Sequence, residues 1–108
     1  MDIKAAIESL DALSHETRLE AYRLLVRSGT DGLPAGTVAE TLEARQNTMS
    51  SHLHKLSRAG IVASRREGRN IIYSANFESL SGLIVYLMED CCGGSAEVCA
   101  PVAASMKC

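Results

Sequence analysis

A chain of 108 residues with one Phe and no Trp allows one domain with an aliphatic core and leaves little room for a substrate pocket. No charged-then-apolar leader opens it, and no apolar run nears the roughly 20 residues that span a bilayer, so a cytoplasmic protein with no membrane partner is expected. The net charge of −2 argues against nucleic acid until its distribution is read: six basic residues between Arg45 and Asn70 face only Glu67, a local +5, while the rest of the chain has five basic against twelve acidic, or −7. A cationic segment on an acidic body is what a phosphate-binding surface requires.

In chain order, Ile3, Ala6, Ile7, Leu10 and Leu13 recur at three- and four-residue steps and predict a first helix. Ser14 is the expected N-cap of a second, with Glu16 favoured in its first turn by the helix dipole. Leu19, Tyr22, Leu25 and Val26 carry that helix to Gly29, and Gly29–Gly32 reads as a loop. Pro34 suits a first helical position, followed by a short third helix with Val38, Ala39 and Leu42 inward. A fourth helix from about Asn47 to Arg58 buries Met49, Leu53 and Leu56 and stops at Gly60. Ile61–Arg66 and Asn70–Ser74 predict two strands, with Gly68 available for a tight hairpin. Asn76 is expected to cap a fifth helix bearing Phe77, Leu80, Ile84, Leu87 and Met88. From Cys91 onward no period remains, and Gly93, Gly94 and Pro101 describe a flexible tail. The expected architecture is mainly α, in the order α-α-α-α-β-β-α plus tail. The expected division is a folded domain over residues 1–90 and a cysteine-bearing tail over residues 91–108.

Two short helices joined by a brief turn, with a basic hairpin directly after, make a winged helix-turn-helix. The second of them presents Gln46, Asn47, Thr48, Ser50, Ser51 and His52 towards its N-terminal half. Amides and hydroxyls there can bond base edges in a major groove. Arg65, Arg66 and Arg69 on the wing can meet phosphates or enter a minor groove. A merely solvated helix face would carry Glu and Lys four residues apart, whereas no acid occurs from Arg45 to Gly60. For His52, and for His54 beside it, DNA contact, packing and simple exposure all stay open.

The chain's cysteines are Cys91, Cys92, Cys99 and Cys108, all near its carboxyl end. In a reducing compartment such a cluster means metal or redox chemistry. Its spacing suits a tail that folds three sulfurs onto one soft ion, with Gly93 and Gly94 permitting the reversal.

The runs Val38–Leu42, Thr48–Leu56 and Ala59–Val62 resemble the helix-turn-helix of the ArsR/SmtB repressors. Leu13–Leu19 is similar to the opening of their second helix, and Arg66–Arg69 through Tyr73 to their wing, so the likeness spans about residues 3 to 90. It implies a homodimeric repressor that leaves its operator DNA, an imperfect inverted repeat, when a metal or metalloid binds. The residue before the recognition helix is commonly small and polar in the family; here it is Arg45. Of the family's ligand patterns, cysteines early in the third or fourth helix are absent from residues 33–58, and Asp/His pairs along the last helix are absent from Phe77–Asp90. What remains resembles the arsenic-responsive subset, with a Cys-Cys pair beyond the last helix and a third Cys soon after. That likeness implies As(III) or Sb(III) as inducer, bound by Cys91, Cys92 and Cys99. Three thiolates suit a pyramidal ion with a lone pair, whereas zinc wants a fourth ligand, and Cys108 is read as no ligand. The alternatives are a thiol-redox or other metal-responsive repressor of the same fold. From another class comes a small thiol redox enzyme handling arsenic, although no oxyanion-binding loop surrounds any thiol. The expected reading is therefore a regulator and not an enzyme.

Overall fold

The computed structural model describes residues 1–88 together with 101, 104 and 105. Helix α1 (Ile3–Leu13) starts from Asp2, whose carboxylate accepts from the Ala5 N–H at 2.8 Å. Helix α2 (Glu16–Arg27) follows, but its N-cap is His15, whose Nδ1 accepts from the Thr17 N–H at 3.2 Å. The expected cap, Ser14, instead closes α1: its N–H and its hydroxyl both donate to the Asp11 carbonyl, at 3.1 and 2.7 Å. A serine can serve a helix end on either side, and here the preceding helix claims it.

After a single 3-10 turn at Gly29–Asp31, Leu33–Pro34 form a short strand, β1, that sequence reading did not anticipate. Pro34 is thus the residue before helix α3 (Ala35–Thr41), not its first. Helix α4 spans Gln46–Arg58, and strands β2 (Val62–Glu67) and β3 (Asn70–Ala75) form the wing. Their antiparallel register runs from Val62 opposite Ala75 to Glu67 opposite Asn70, and β1 adds to the other edge of β3 through Leu33 opposite Tyr73. Gly68, at φ +62°, opens the two-residue loop of the hairpin, a position that favours glycine. Gly32, at φ +71°, matters for closeness as well: a Cβ there would overlap the Tyr73 carbonyl.

Helix α5 (Phe77–Met88) completes the described elements, and the Asn76 carboxamide caps it by accepting from the Ser79 N–H at 3.2 Å, as expected. Pro101, Ala104 and Ser105 take helical backbone, in a stretch read from sequence as irregular. Cys91, Cys92, Cys99 and Cys108 lie outside the described residues.

Met49, Leu53 and Leu56, the predicted stripe of α4, are each 0 % exposed and sit with Leu25, Val38 and Tyr22 at the centre of the core. Burying each leucine stabilises the fold by about 1.5–3 kcal/mol. The recognition helix is thereby fixed along one face, which leaves its opposite face to solvent. Tyr22 is buried deeply enough to raise its phenol above the ordinary value. Among the described residues no helix is long and apolar enough to cross a membrane.

Candidate nucleic-acid interface

The helix-turn-helix is α3, a sharp turn and α4. The turn is made by Glu43 at φ +53°, with the Glu43 and Ala44 N–H groups donating back to the Glu40 and Ala39 carbonyls at 3.2 and 2.8 Å. A left-handed non-glycine residue costs about 1–2 kcal/mol, accepted here where the two helices must change direction over four residues.

From that turn α4 projects its N-terminal end outwards. Gln46, Asn47, Thr48, Ser50 and Ser51 are all exposed, while Met49 and Leu53 between and beyond them are buried. Asn47 is partly engaged: its Oδ1 accepts from the Thr48 N–H at 2.9 Å, and its carbonyl accepts from the Ser51 hydroxyl at 3.3 Å. The side chains of Gln46, Thr48 and Ser50 make no hydrogen bond among the described residues. No acid stands in the first turn, while Lys55 and Arg58 occupy the last, where the dipole favours cations. Arg45, the N-cap residue, makes no side-chain capping bond. Relative to Ser or Asp that omission costs about 0.5–2 kcal/mol.

His52 is placed differently from its neighbours. It is half-buried, with its ring 4.6 Å from that of His15 and tilted by 41°, so it packs against the start of α2. Burial first, then the nearby His15 and Arg18 charges, hold its imidazole below the usual value. Neutral at ordinary pH, it brings little charge to the interface. Arg18 in turn donates from Nε to the Ala12 carbonyl at 2.7 Å.

On the wing the three arginines separate. Arg65 donates from Nη2 to the Asp31 carbonyl at 2.7 Å and from Nε to Glu67 at 3.4 Å, which fastens β2 to the body. Arg66 reaches the Gly68 carbonyl at 3.3 Å, and Arg69, at the hairpin tip, is exposed. Between wing and helix lies a polar groove of about 540 Å³ lined by Thr37, Glu40, Gln46, Ser50, Arg69 and Asn70. It brings Gln46, Ser50 and Arg69 together. Thr37 and Asn70 were not singled out, because only the folding-back of the wing sets them there.

Among the described residues no group of three His, Cys, Asp or Glu side chains is arranged to hold a metal ion.

A helix-turn-helix domain model matches residues 13–65, which run from the end of α1 into β2. The HTH-type transcriptional regulator YgaV of Escherichia coli (strain K12) is 30% identical over 83 residues, covering 77% of this chain and 82% of that protein. An ArsR-like transcriptional regulator from Rhodococcus sp. RHA1 superposes with a TM-score of 0.72 at 25% identity, over 97% of this chain and 96% of the other. A crystal structure named as that of a possible transcriptional regulator for arsenical resistance superposes with a TM-score of 0.66 at 25% identity, covering 93% and 98% of the two chains. Helix-turn-helix, wing and full-length likeness agree, and the chain belongs to the ArsR-type family of winged-helix transcriptional regulators.

Proposed function

We propose that the chain is a cytoplasmic repressor that binds operator DNA as a homodimer and lets go when As(III) or Sb(III) is held by the thiolates of Cys91, Cys92 and Cys99. The DNA part is supported by the acid-free, exposed N-terminal end of α4 beside the basic wing. Dimerisation is supported by apolar side chains that the single chain leaves uncovered. Ile3, Ile7 and Leu10 line one outer face of α1 at 64, 58 and 43 % exposure, and Val85 and Leu87 on α5 stand at 64 and 56 %. Leu83 is buried within its own chain and Leu80 packs on that chain's core, so neither adds much to a partner contact. Two recognition helices related by a two-fold axis read half-sites about one DNA turn apart, hence an imperfect inverted repeat.

The observation that carries the sensing role is where the thiols fall. Cys91 follows closely on Met88, the last residue of α5, and the first turn of α5 is bonded to the end of α4 through Asn76 and Ser79. A ligand drawing Cys91, Cys92 and Cys99 together acts on a helix already tied to the recognition helix. Three sulfurs match the pyramidal preference of As(III) and Sb(III). The likeness to the arsenical-resistance regulator points the same way.

The test is fluorescence anisotropy of a labelled duplex selected by the reduced protein, titrated with arsenite, antimonite, zinc and cadmium. Arsenite and antimonite are expected to weaken binding by about 5–150-fold, the usual range of allosteric coupling. Cys91→Ser, Cys92→Ser and Cys99→Ser should bind DNA and ignore arsenite. Serine variants that release DNA at the wild-type arsenite concentration would refute the site. Release by oxidant or zinc alone would favour the redox-responsive or other metal-responsive alternative.

A further inference from the structure

Arg45 stands in a position that helix chemistry advises against. It is the N-cap residue of α4, where Ser, Thr, Asp or Asn would satisfy a free backbone N–H, yet its side chain makes no capping bond. Its cationic charge also meets the positive end of the helix dipole. Among the described residues nothing compensates: the guanidinium is exposed and has no hydrogen-bond or ion-pair partner. Arg58 and Arg69 are likewise exposed without such a partner, but neither stands at the N-terminus of α4. The other cations near this surface are held within the chain. Arg65 is held by the Asp31 carbonyl and Glu67, Arg66 by the Gly68 carbonyl, and Lys55, further along the helix, by Asp11 at 3.6 Å. A residue that breaks a local rule with no internal gain marks a place where function has overridden stability.

We propose that Arg45 is a specificity-determining residue, reading a guanine in each half-site through a bidentate contact of its guanidinium with O6 and N7. This rests on the operator-binding reading above. Recognition helices enter the major groove by their N-terminal residues, so the end that carries Arg45 is the end that meets base edges. Beside it, Gln46, Thr48 and Ser50 are exposed and make no hydrogen bond among the described residues, but none of them offers two parallel N–H donors on separate nitrogens, the arrangement that matches guanine O6 and N7. Arg45 supplies that fork. The acid-free helix leaves it no carboxylate within its own element to fold back upon.

The experiment uses the full chain, reduced and free of metalloid, to select duplexes from a random pool, followed by binding measurements on the selected site and on single-base replacements. Wild type is expected to require a G·C pair at one position of each half-site and to discriminate against its replacement by about 5–150-fold. Arg45→Ser should lose that discrimination, to within roughly twofold, while other positions of the motif persist. The same variant gains a proper cap, so its thermal midpoint should hold or rise, which separates lost reading from lost folding. Arg45→Lys keeps the charge and has donors for guanine O6 and N7 but lacks the planar fork, so it should retain the salt dependence of binding and only part of the discrimination.

Two results would overturn the assignment. If Arg45→Ser selects the wild-type motif unchanged, Arg45 does not read a base. If instead it weakens binding equally on every duplex, lowers the salt slope by about one per Arg45 and is rescued by Lys, the residue is a phosphate anchor only. A wild-type chain that selects no motif at all refutes operator recognition itself, a separate failure from either of these.

Discussion

Asn76 ties the end of β3 both to α5 and to the turn that follows α4. Its carboxamide oxygen caps α5 through the Ser79 N–H at 3.2 Å, its Nδ2 donates to the Gly60 carbonyl at 3.1 Å, and its backbone N–H donates to the Ile61 carbonyl at 2.9 Å. Asn76→Ala removes the first two and leaves the third. Losing an N-cap costs about 1 kcal/mol, and an exposed amide–carbonyl bond adds about 0.5–1 kcal/mol at the low end of its range. The sum, about 1.5–2 kcal/mol, lowers the thermal midpoint of a domain this size by roughly 6–16 °C.

Two companion variants divide that total. Asn76→Asp keeps the capping oxygen but loses the donor to Gly60, so it should recover about half of the loss. Ser79→Ala removes a hydroxyl that lies 3.1 Å from the Gly60 carbonyl and 3.0 Å from the Asn76 carbonyl, and should cost about 0.5–1 kcal/mol. Calorimetry at fixed protein concentration measures all three, since a dimer's midpoint moves with concentration. An Asn76→Ala midpoint within about 2 °C of wild type, well short of the roughly 6 °C this reasoning requires, would show that the α4–α5 junction is held by packing alone.

Three further expectations concern other parts of the fold. His52 has a pKa lowered in the folded chain, so as pH falls the unfolded chain takes up this proton first. Its contribution to stability is complete above the unfolded value of 6.5 and is lost progressively as pH drops from there towards the depressed folded value. Melting curves between pH 8 and pH 5, on the order of the imidazole range, should show a shallower decline for His52→Gln, and an identical slope would contradict the assignment. Ile7→Glu places a charge at the middle of the uncovered α1 face; it should leave the melting of the core intact but yield a monomer on gel filtration at micromolar concentration. Gly32→Ala sets a Cβ against the Tyr73 carbonyl and 3.1 Å from Ile72 Cγ2, at a φ of +71°, and should cost about 1–3 kcal/mol by urea denaturation. An unchanged urea midpoint would mean that β1 can detach without loss.

The helices were legible because their partners are local or periodic. Met49, Leu53 and Leu56 recur at helical steps, and each reaches 0 % exposure. Gly68 and Asn76 were legible because a two-residue loop and an N-cap each demand a particular residue type. What escaped reading depends on contacts between distant segments. Strand β1 has only two residues, one of them a proline, and exists because Tyr73 and Ile72 offer it an edge. His52 meets His15 across the α2–α4 packing, and Arg65 meets the Asp31 carbonyl 34 positions away. No window along the chain contains either pair. Ser14 shows a different limit: local rules identify a capping residue but do not say which of two adjoining helices it will serve.

In the regulator proposed here, a change at the end of α5 has two routes to the recognition helix, and their stiffness differs. One passes through α1, which touches both α5 and α4. Its polar link is the Lys55–Asp11 pair at 3.6 Å, with both side chains about half or more exposed. Such a pair contributes about 0–1 kcal/mol and is screened by salt. Beside it an open surface depression of about 490 Å³ lies between α1 and α4, lined by Glu8, Ser51, His54 and Arg58 among others, so the side chains of this contact have room to adjust. The other route is the junction at Gly60, where Asn76 and Ser79 both approach one carbonyl and Asn76 caps α5 as well. Displacing α5 there must either break these bonds or carry the end of α4 with it, and breaking them costs about as much as the 1–3 kcal/mol of a typical allosteric coupling. The Gly60 junction is therefore where signal transfer should be most sensitive. Asn76→Asp should reduce the arsenite-induced loss of DNA affinity more than Asp11→Asn does, and in titrations at about 0.3 M salt, where exposed pairs are largely screened, the difference should persist. Equal responses in the two variants would place the coupling in α1 or in the dimer contact instead.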